Sequence, residues 1–344
     1  MLLHQCETIY PCVFSNIVRM KDIRLYKTDE IQRDLWETIV DGFNTCFPDH
    51  KKSVDEYIER YRANPFGYCY HALYYEDGEL AGFNSITPQK YLIDGKTVDL
   101  GLSGDTYVLP QFRKNIFIFM YLYNALKEYC AKDGIVAFLG VPNQNSYVYS
   151  IKLLQCKEVF TLDYWILPVT VGDLLKKQRW LNFFSTIYAR LSACVNLFVS
   201  TLFNSIEEKP RIRLIDNDEF LDKRLAGNKY TRIKSGKYSF SYTVTEDEGI
   251  RCAYIMHIVE KANRSYRALA KCVNYILAHE KVSVIMYNGT LHLKQGVLVK
   301  TPTSYIPRKL PFTVNFLSKE YEAQYAFMLD APSWDFTLLN LDVR

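Results

Sequence analysis

The sequence predicts a two-domain α/β (α+β) protein, each half a mixed, mostly antiparallel sheet flanked by helices, with an apolar helix joining them. Three observations predict it. At 344 residues the chain has about twice the length of a common domain. Short aromatic and β-branched runs bounded by Gly or Pro alternate with stretches of helical period. The order strand, strand, helix, strand then recurs roughly 150 residues further on, as an internal duplication would. The resulting divisions are an N-terminal extension over 1–21, a first domain over 22–175, a helical linker over 176–208 and a second domain over 209–344.

Ile23–Tyr26 reads as a short strand. Asp29–Phe43 sets Ile31, Leu35, Ile39 and Phe43 on one helical face, and Ser53–Tyr61 is a second helix with Ser53 as N-cap. Tyr68–Tyr75 and Leu80–Ile86 flank the turn Glu76-Asp77-Gly78-Glu79 and form a hairpin. Thr97–Val108 is a third strand ending at Pro110, and a long helix over Ile116–Lys132 stops at Asp133-Gly134. Ile135–Gly140, short and apolar, has the character of a buried parallel strand. A helix opens at Asn143–Ser146, and Tyr164–Val169 closes the first set. In the second half, Lys237–Thr245 and Arg251–Val259 are strands. Ser265–His279 is a helix with Ala268, Cys272, Tyr275 and Ile276 inward, and Val282–Met286 is the strand behind it.

Between the halves, Trp180–Phe203 carries a single charge, Arg190. Leu181, Phe184, Tyr188, Leu191, Val195, Phe198 and Leu202 share one helical face, and Asn182, Ser185, Ser192, Asn196 and Ser200 make a weakly polar stripe opposite. The first reading is an inter-domain helix packed on both halves. The basic flank Lys176, Lys177 and Arg179 also suits peripheral contact with the inner face of a membrane.

Composition excludes several classes. With 49% hydrophobic and 23% charged residues the chain is not disordered, and a net charge of +4 is too mild for a nucleic-acid partner. Nine cysteines without a CxxC pair read as reduced, buried thiols, and the start has no secretory pattern, so a cytoplasmic protein is expected. Six scattered histidines give no metal-ligand spacing, and no metal is expected. Cys69 and His71 alternate onto one face of a strand and read as core residues. Lys27, Lys51, Lys52 and Arg60 read as a solvated basic face.

The stretch Gly101-Leu102-Ser103-Gly104-Asp105-Thr106-Tyr107-Val108-Leu109-Pro110-Gln111-Phe112-Arg113-Lys114-Asn115-Ile116 runs from a strand through a basic turn into a helix N-terminus. Unpaired N–H groups and the positive helix end attract an anion there, and Arg113 and Lys114 add charge. Val141-Pro142-Asn143-Gln144-Asn145-Ser146-Tyr147 repeats the strand-to-helix setting. Together these resemble the GCN5-related N-acetyltransferase (GNAT) superfamily. The Pro-Asn-x-x-Ser turn, Ile166-Leu167-Pro168 and the closing Trp334-Asp335-Phe336…Asp342-Val343-Arg344 look like large GNAT-like proteins of bacterial polysaccharide gene clusters.

The resemblance implies acetyl-CoA or another acyl-CoA as co-substrate, held by Tyr107, Val108, Arg113, Lys114, Asn115, Asn143, Asn145 and Ser146. It also implies a base, for which Asp105 is the candidate with Asp99 upstream, and an acid, for which Tyr149 is the candidate beside Tyr147 and Ser150. From the residues alone, Gly104-Asp105 equally shapes a bulge, Tyr149 is equally a half-buried aromatic, and Asn143, Asn145 and Ser146 equally cap a helix. The chain departs from the family where Lys114 and Ile116 replace glycines and where Gln155-Cys156 replaces a Gly-aromatic pair. The implied function is transfer of an acyl group to an amine, such as that of an amino sugar or polysaccharide precursor. A GNAT-like protein that binds a ligand or partner without turnover is the alternative, and a peptidoglycan-type aminoacyl transferase is a third.

Overall fold

The computed structural model describes residues 21–341 apart from 177, 208–209, 227–228, 248, 262 and 307. The N-terminal extension and the final Asp342-Val343-Arg344 of the closing motif fall outside the described residues, save Lys21.

Local chemistry explains most elements of the first half. After β1 (Lys21–Lys27) come α1 (Arg33–Cys46) and α2 (Val54–Arg62). Ser53 caps α2 as expected: its Oγ accepts from the Glu56 amide while Glu56 accepts from the Ser53 amide at 2.9 Å. β2 (Tyr70–Glu76), β3 (Glu79–Ile93) and β4 (Lys96–Val108) form two hairpins. Each turns at an Asp-Gly pair, Asp77-Gly78 and Asp94-Gly95, with both residues at positive φ, as a type I′ turn requires. α3 (Ile118–Lys132) ends at Gly134, also at positive φ. β5 (Ala137–Gly140), α4 (Gln144–Lys152), β6 (Lys157–Thr161) and β7 (Tyr164–Pro168) follow.

The chain then forms α5 (Val171–Leu174), α6 (Leu181–Leu202), β8 (Ile212–Leu214), α7 (Asp218–Arg224), β9 (Tyr230–Ser235), β10 (Tyr238–Asp247) and β11 (Ile250–Glu260). It closes with α8 (Tyr266–His279), β12 (Val284–Asn288), β13 (Val299–Lys300), β14 (Pro311–Phe316) and β15 (Trp334–Asp335).

Two sheets result. The first has the order β1-β2-β3-β4-β5-β14-β6, with β8 and β15 beside the far end of β3; the second has the order β13-β7-β12-β11-β10-β9. Four antiparallel strands, β1 to β4, lead to the parallel pair of β4 with β5 in the first sheet, and three, β9 to β11, lead to the parallel pair of β11 with β12 in the second. Tyr164–Val169, expected to close the first set, instead closes the second: β7 runs antiparallel to β12. The vacant place in the first sheet is taken by β14, antiparallel to both β5 and β6. The strands of the two halves are exchanged. Nothing local specifies this, because an apolar strand satisfies its ladder equally in either sheet.

Four apolar clusters hold the layers. α3 covers one face of the first sheet through Ile118, Leu122 and Leu126, and α1 and α2 cover the other through Trp36, Ile39, Tyr57 and Tyr61. At the far end of that second face, C-terminal residues Met328, Trp334 and Phe336 pack on Leu100, Leu102, Leu139 and Phe312. α8 and the small residues of α6 cover the second sheet.

Trp334 is fully buried and its Nε1 donates to the Met328 carbonyl at 2.7 Å. Trp334→Ala is expected to cost about 3–5 kcal/mol. Urea unfolding followed by circular dichroism and by tryptophan fluorescence should remain one coincident transition, because each sheet contains a strand of the other half. Two separated transitions would show that the exchange does not couple the halves.

Candidate functional site

β4 and β5 pair over only two positions, Gly101 with Phe138 and Leu102 with Leu139. Beyond them β4 continues to Val108 while β5 ends at Gly140 and turns toward β14. A bulge starts the divergence: two residues of β4, Gly104 and Asp105, stand opposite Ser85 of β3, whose Oγ donates to the Asp105 carbonyl at 3.3 Å. The sheet is therefore split between β4 and β5. Because the two strands are parallel, the helices that follow them, α3 and α4, open at the same edge, one on each side of the split.

The entrance to α3 is left unsatisfied. Phe117 occupies the N-cap and makes no side-chain cap. Among the described residues, the amides of Lys114, Ile116, Phe119 and Met120 have no hydrogen-bond partner, whereas Phe117 N donates to Asn115 Oδ1 at 3.3 Å. Lys114 is exposed. Ile116, which stands in place of a glycine, is 53% exposed and belongs to none of the core clusters. Arg113 turns back: its Nε donates to the Val108 carbonyl at 2.9 Å, and its guanidinium bonds the Cys46 thiol, opposing the upward push of burial on that group.

The second sheet offers the contrast. β11 and β12 pair at Cys252–Val284, Ala253–Ile285 and Tyr254–Met286 and then part in the same way. Here every amide at the entrance of α8 is satisfied: Tyr266 N by the Ser205 carbonyl, Arg267 N by Asn204 Oδ1, Ala268 N by Ser265 Oγ and Leu269 N by the Ser265 carbonyl. Arg264, just beyond β11, donates to the Thr290 carbonyl just beyond β12 at 3.2 Å and faces the carboxylates of Glu207 and Asp335. Burial pushes the Asp335 carboxyl up to about 6 against the pull of Arg264. That split is filled by the chain itself.

The structure distributes the sequence candidates as follows. Tyr107 is buried away from the split, its phenol donating to the Ile39 carbonyl at 2.7 Å, and burial raises its pKa well above the usual range. Its main chain pairs with Phe83 of β3. The Val108 carbonyl is already taken by Arg113. Asn143 is the N-cap of α4, its Oδ1 accepting from the amides of Asn145 and Ser146 at 3.0 and 2.9 Å, so the capping reading holds for it. Tyr149 projects half exposed from α4, and Tyr147 is tied to Glu158.

Asp105 faces α2 and accepts from Arg60 Nη1 at 2.8 Å and from the Tyr61 phenol at 3.0 Å. Arg60 is thus a partner of the bulge and not a solvated residue, and Lys27 likewise pairs with Asp133 at 2.7 Å. A small cavity beside the Arg60–Asp105 pair is lined by Arg60, Asn64, Thr87, Gln89, Phe220 and Arg224. Sequence reasoning missed this junction because α2 and α7 meet at β3 only in three dimensions.

Cys69 and His71 are core residues, as expected. The thiol lies against the Tyr61 carbonyl and Thr87, and His71 Nε2 bonds Thr28 Oγ1 at 2.9 Å. Among the described residues no group of His, Cys, Asp and Glu has the geometry of a metal site.

No protein-family model and no curated protein sequence matches the chain. Solved structures do. A GCN5-related N-acetyltransferase from Anabaena variabilis is 11% identical, with 86% of this chain and 73% of that one aligned at a TM-score of 0.54. One from Kribbella flavida is 11% identical over 86% and 71% at 0.55. A probable N-acyltransferase from Enterococcus faecalis is 11% identical over 88% and 74% at 0.54. Likeness at this identity establishes the fold: two helix-flanked sheets of the GCN5-related N-acetyltransferase type.

Burial lowers the His71 imidazole from its usual range to about 3, so the folded protein keeps it neutral where an unfolded histidine, near 6.5, takes up a proton. The unfolded state binds more protons between these values, so stability is full above about 6.5 and is lost as pH falls, approaching about 1.4 kcal/mol per pH unit. Urea midpoints across this range should show that slope in the wild type and a shallower one in His71→Phe. Equal slopes would assign the acid sensitivity to other groups.

Proposed function

We propose that the chain is an N-acyltransferase that takes an acetyl or other acyl group from acyl-coenzyme A and transfers it to an amine. The observation that carries this is the asymmetry between the splits: the entrance of α8 is satisfied by the chain, while that of α3 leaves four amides without partners beside a gap in the sheet. Unpartnered amides at a helix N-terminus, with Lys114 and Arg113 in the same turn, suit a pyrophosphate. On its β5 side, the edge of β4 beyond Leu102 has no strand opposite it among the described residues, and its main-chain groups can bond an extended amide-bearing arm as a strand would.

Acyl-coenzyme A supplies the thioester when bound. The residues of the chain have separate tasks. Asp105, at the bulge, is the candidate to take the proton of the incoming amine, and Tyr149, on α4 across the split, is the candidate to return one to the departing sulfur. The acceptor we propose is the amine of an amino sugar or polysaccharide precursor in the cytoplasm, on the resemblance of the Pro-Asn-x-x-Ser turn and the closing Trp334-Asp335-Phe336 to GNAT-like proteins of polysaccharide gene clusters. One observation supports the alternative of binding without turnover: both oxygens of Asp105 already accept bonds from Arg60 and Tyr61.

Calorimetric titration with acetyl-coenzyme A and with coenzyme A should give micromolar dissociation constants, and Arg113→Ala should weaken both at least tenfold, or about 1.4 kcal/mol. Tyr149→Phe should leave binding intact and lower kcat by about a hundredfold. Tight binding with no turnover on any amine would select the non-catalytic reading. No binding up to millimolar would remove the acyl-coenzyme A assignment altogether.

A further inference from the structure

α6 is built inside out. Its weakly polar stripe, the side expected to meet water, faces the protein. Asn182 Nδ2 donates to Asp173 at 2.9 Å, Ser185 Oγ donates to the Val169 carbonyl at 2.9 Å, and Asn196 accepts from the Tyr266 phenol. Asn274 Nδ2 donates to the Ala193 carbonyl at 2.9 Å, and Ala189, Ala193 and Ser200 are buried against the second sheet and α8. The apolar face, expected to pack between the halves, points outward instead. Trp180, Phe184, Tyr188, Leu191, Val195, Phe198 and Leu202 are each more than half exposed, and Phe203 and Ile206 continue the surface. Soluble chains scatter large exposed apolar side chains singly and do not line up this many.

We propose that this face of α6 lies on the surface of an anionic lipid bilayer, with the helix in the plane of the membrane. Three features select that occupant. The first is charge: from Leu174 to Ile206 there is no Asp or Glu, while Lys176, Lys177, Arg179 and Arg190 are basic. The second is where the exposed charge of the helix sits. At about 100° per residue, Arg190 falls on the flank of the apolar face, from which a guanidinium reaches headgroups while its stem stays among acyl chains. The third is the aromatic end: Trp180, Phe183, Phe184 and Tyr188 crowd the first two turns, beside the cations, as interfacial anchors do.

Two other occupants fit worse. α6 is the one helix among the described residues that is long and apolar enough to cross a membrane. Crossing would strip its polar stripe from its partners on β7, α5 and α8 and carry Arg190 into the hydrocarbon. A second copy of the chain paired antiparallel about a two-fold axis would set Arg190, near the middle of α6, close to its own mate with no carboxylate in the segment to offset it.

The inference is independent of the acyltransferase reading and is tested with the full chain. In flotation assays the protein should rise with vesicles of phosphatidylcholine containing about a third phosphatidylglycerol. It should rise far less with pure phosphatidylcholine, and molar salt should weaken binding about tenfold. Trp180 emission should shift to the blue on binding, a shift that Trp180→Phe removes. The double variant Leu191→Asp, Phe198→Asp changes only exposed positions and should keep its thermal unfolding midpoint while losing at least tenfold in partitioning. A wild-type protein that stays down with anionic vesicles, or a variant that floats as well as the wild type, overturns the proposal. So does a concentration-dependent dimer in sedimentation equilibrium that the double variant abolishes, because the face would then belong to a second copy.

Discussion

The geometry of the site depends on how closely β4 approaches β5, and that approach depends on Gly101. A Cβ built at this position would come within 2.6 Å of Ile86 Cγ2 and 2.9 Å of the Phe138 ring. Without a side chain there, the strands close for two residues of parallel pairing, and the bulge at Gly104-Asp105 immediately redirects β4. Contact followed at once by divergence is what makes a wedge. A longer ladder would zip the edge shut, and no ladder would leave α3 and α4 without a common frame. Asp105 then holds the bulge from beneath through Arg60 and Tyr61, so the residue with the best claim to chemistry also ties α2 to the split strand.

The two sheets answer the same geometric problem differently. A parallel pair that splits exposes amides at the following helix and main-chain groups along the strand edges, and a buried polar group without a partner is costly. In the second sheet the segment after α6 covers the opening: Asn204 and Ser205 satisfy α8, and Glu207 accepts from the His292 amide while facing Arg264. In the first sheet nothing among the described residues plays that part. An opening left bare where the same chain shows how to fill it is what a ligand-binding edge requires, and its exposure to water keeps the empty state tolerable.

Much of the local structure was legible. The Asp77-Gly78 turn, the Ser53 cap and the Gly134 stop are all short-range chemistry, and the strand and helix periods around them gave the fold type. The split site was legible as a region, from a strand running into a basic turn that lacks any Ser, Thr or Asp cap before α3. Its individual residues were less so. Tyr107 sits on β4 with its side chain turned to α1, and the bulge next to it comes from pairing with Ser85, which the sequence around Asp105 does not reveal. The exchange of β7 and β14 was hidden for a related reason: a strand's period reports which face is buried but not which sheet it joins. For α6 the period was right and the direction was not, since a helical wheel gives two faces and no sign.

That missing sign has a physical origin. A helix with one apolar and one weakly polar face normally turns the apolar side inward because burial there is favourable by roughly 25 cal/mol per Å². On α6 the polar face wins the protein side, because Asn182, Ser185 and Asn196 find partners on α5, β7 and α8, and because Ala189 and Ala193 let the helix lie close. Turning it over would bring Phe184, Leu191 and Phe198 against surfaces already filled by Leu269, Val273 and Ile276 of the second core, where added volume forces strain. The inverted orientation is therefore locked from the inside, and it leaves the apolar face turned to the surroundings. A bilayer covers such a face without demanding shape complementarity, which a face of flexible, mixed aromatic and aliphatic side chains does not provide.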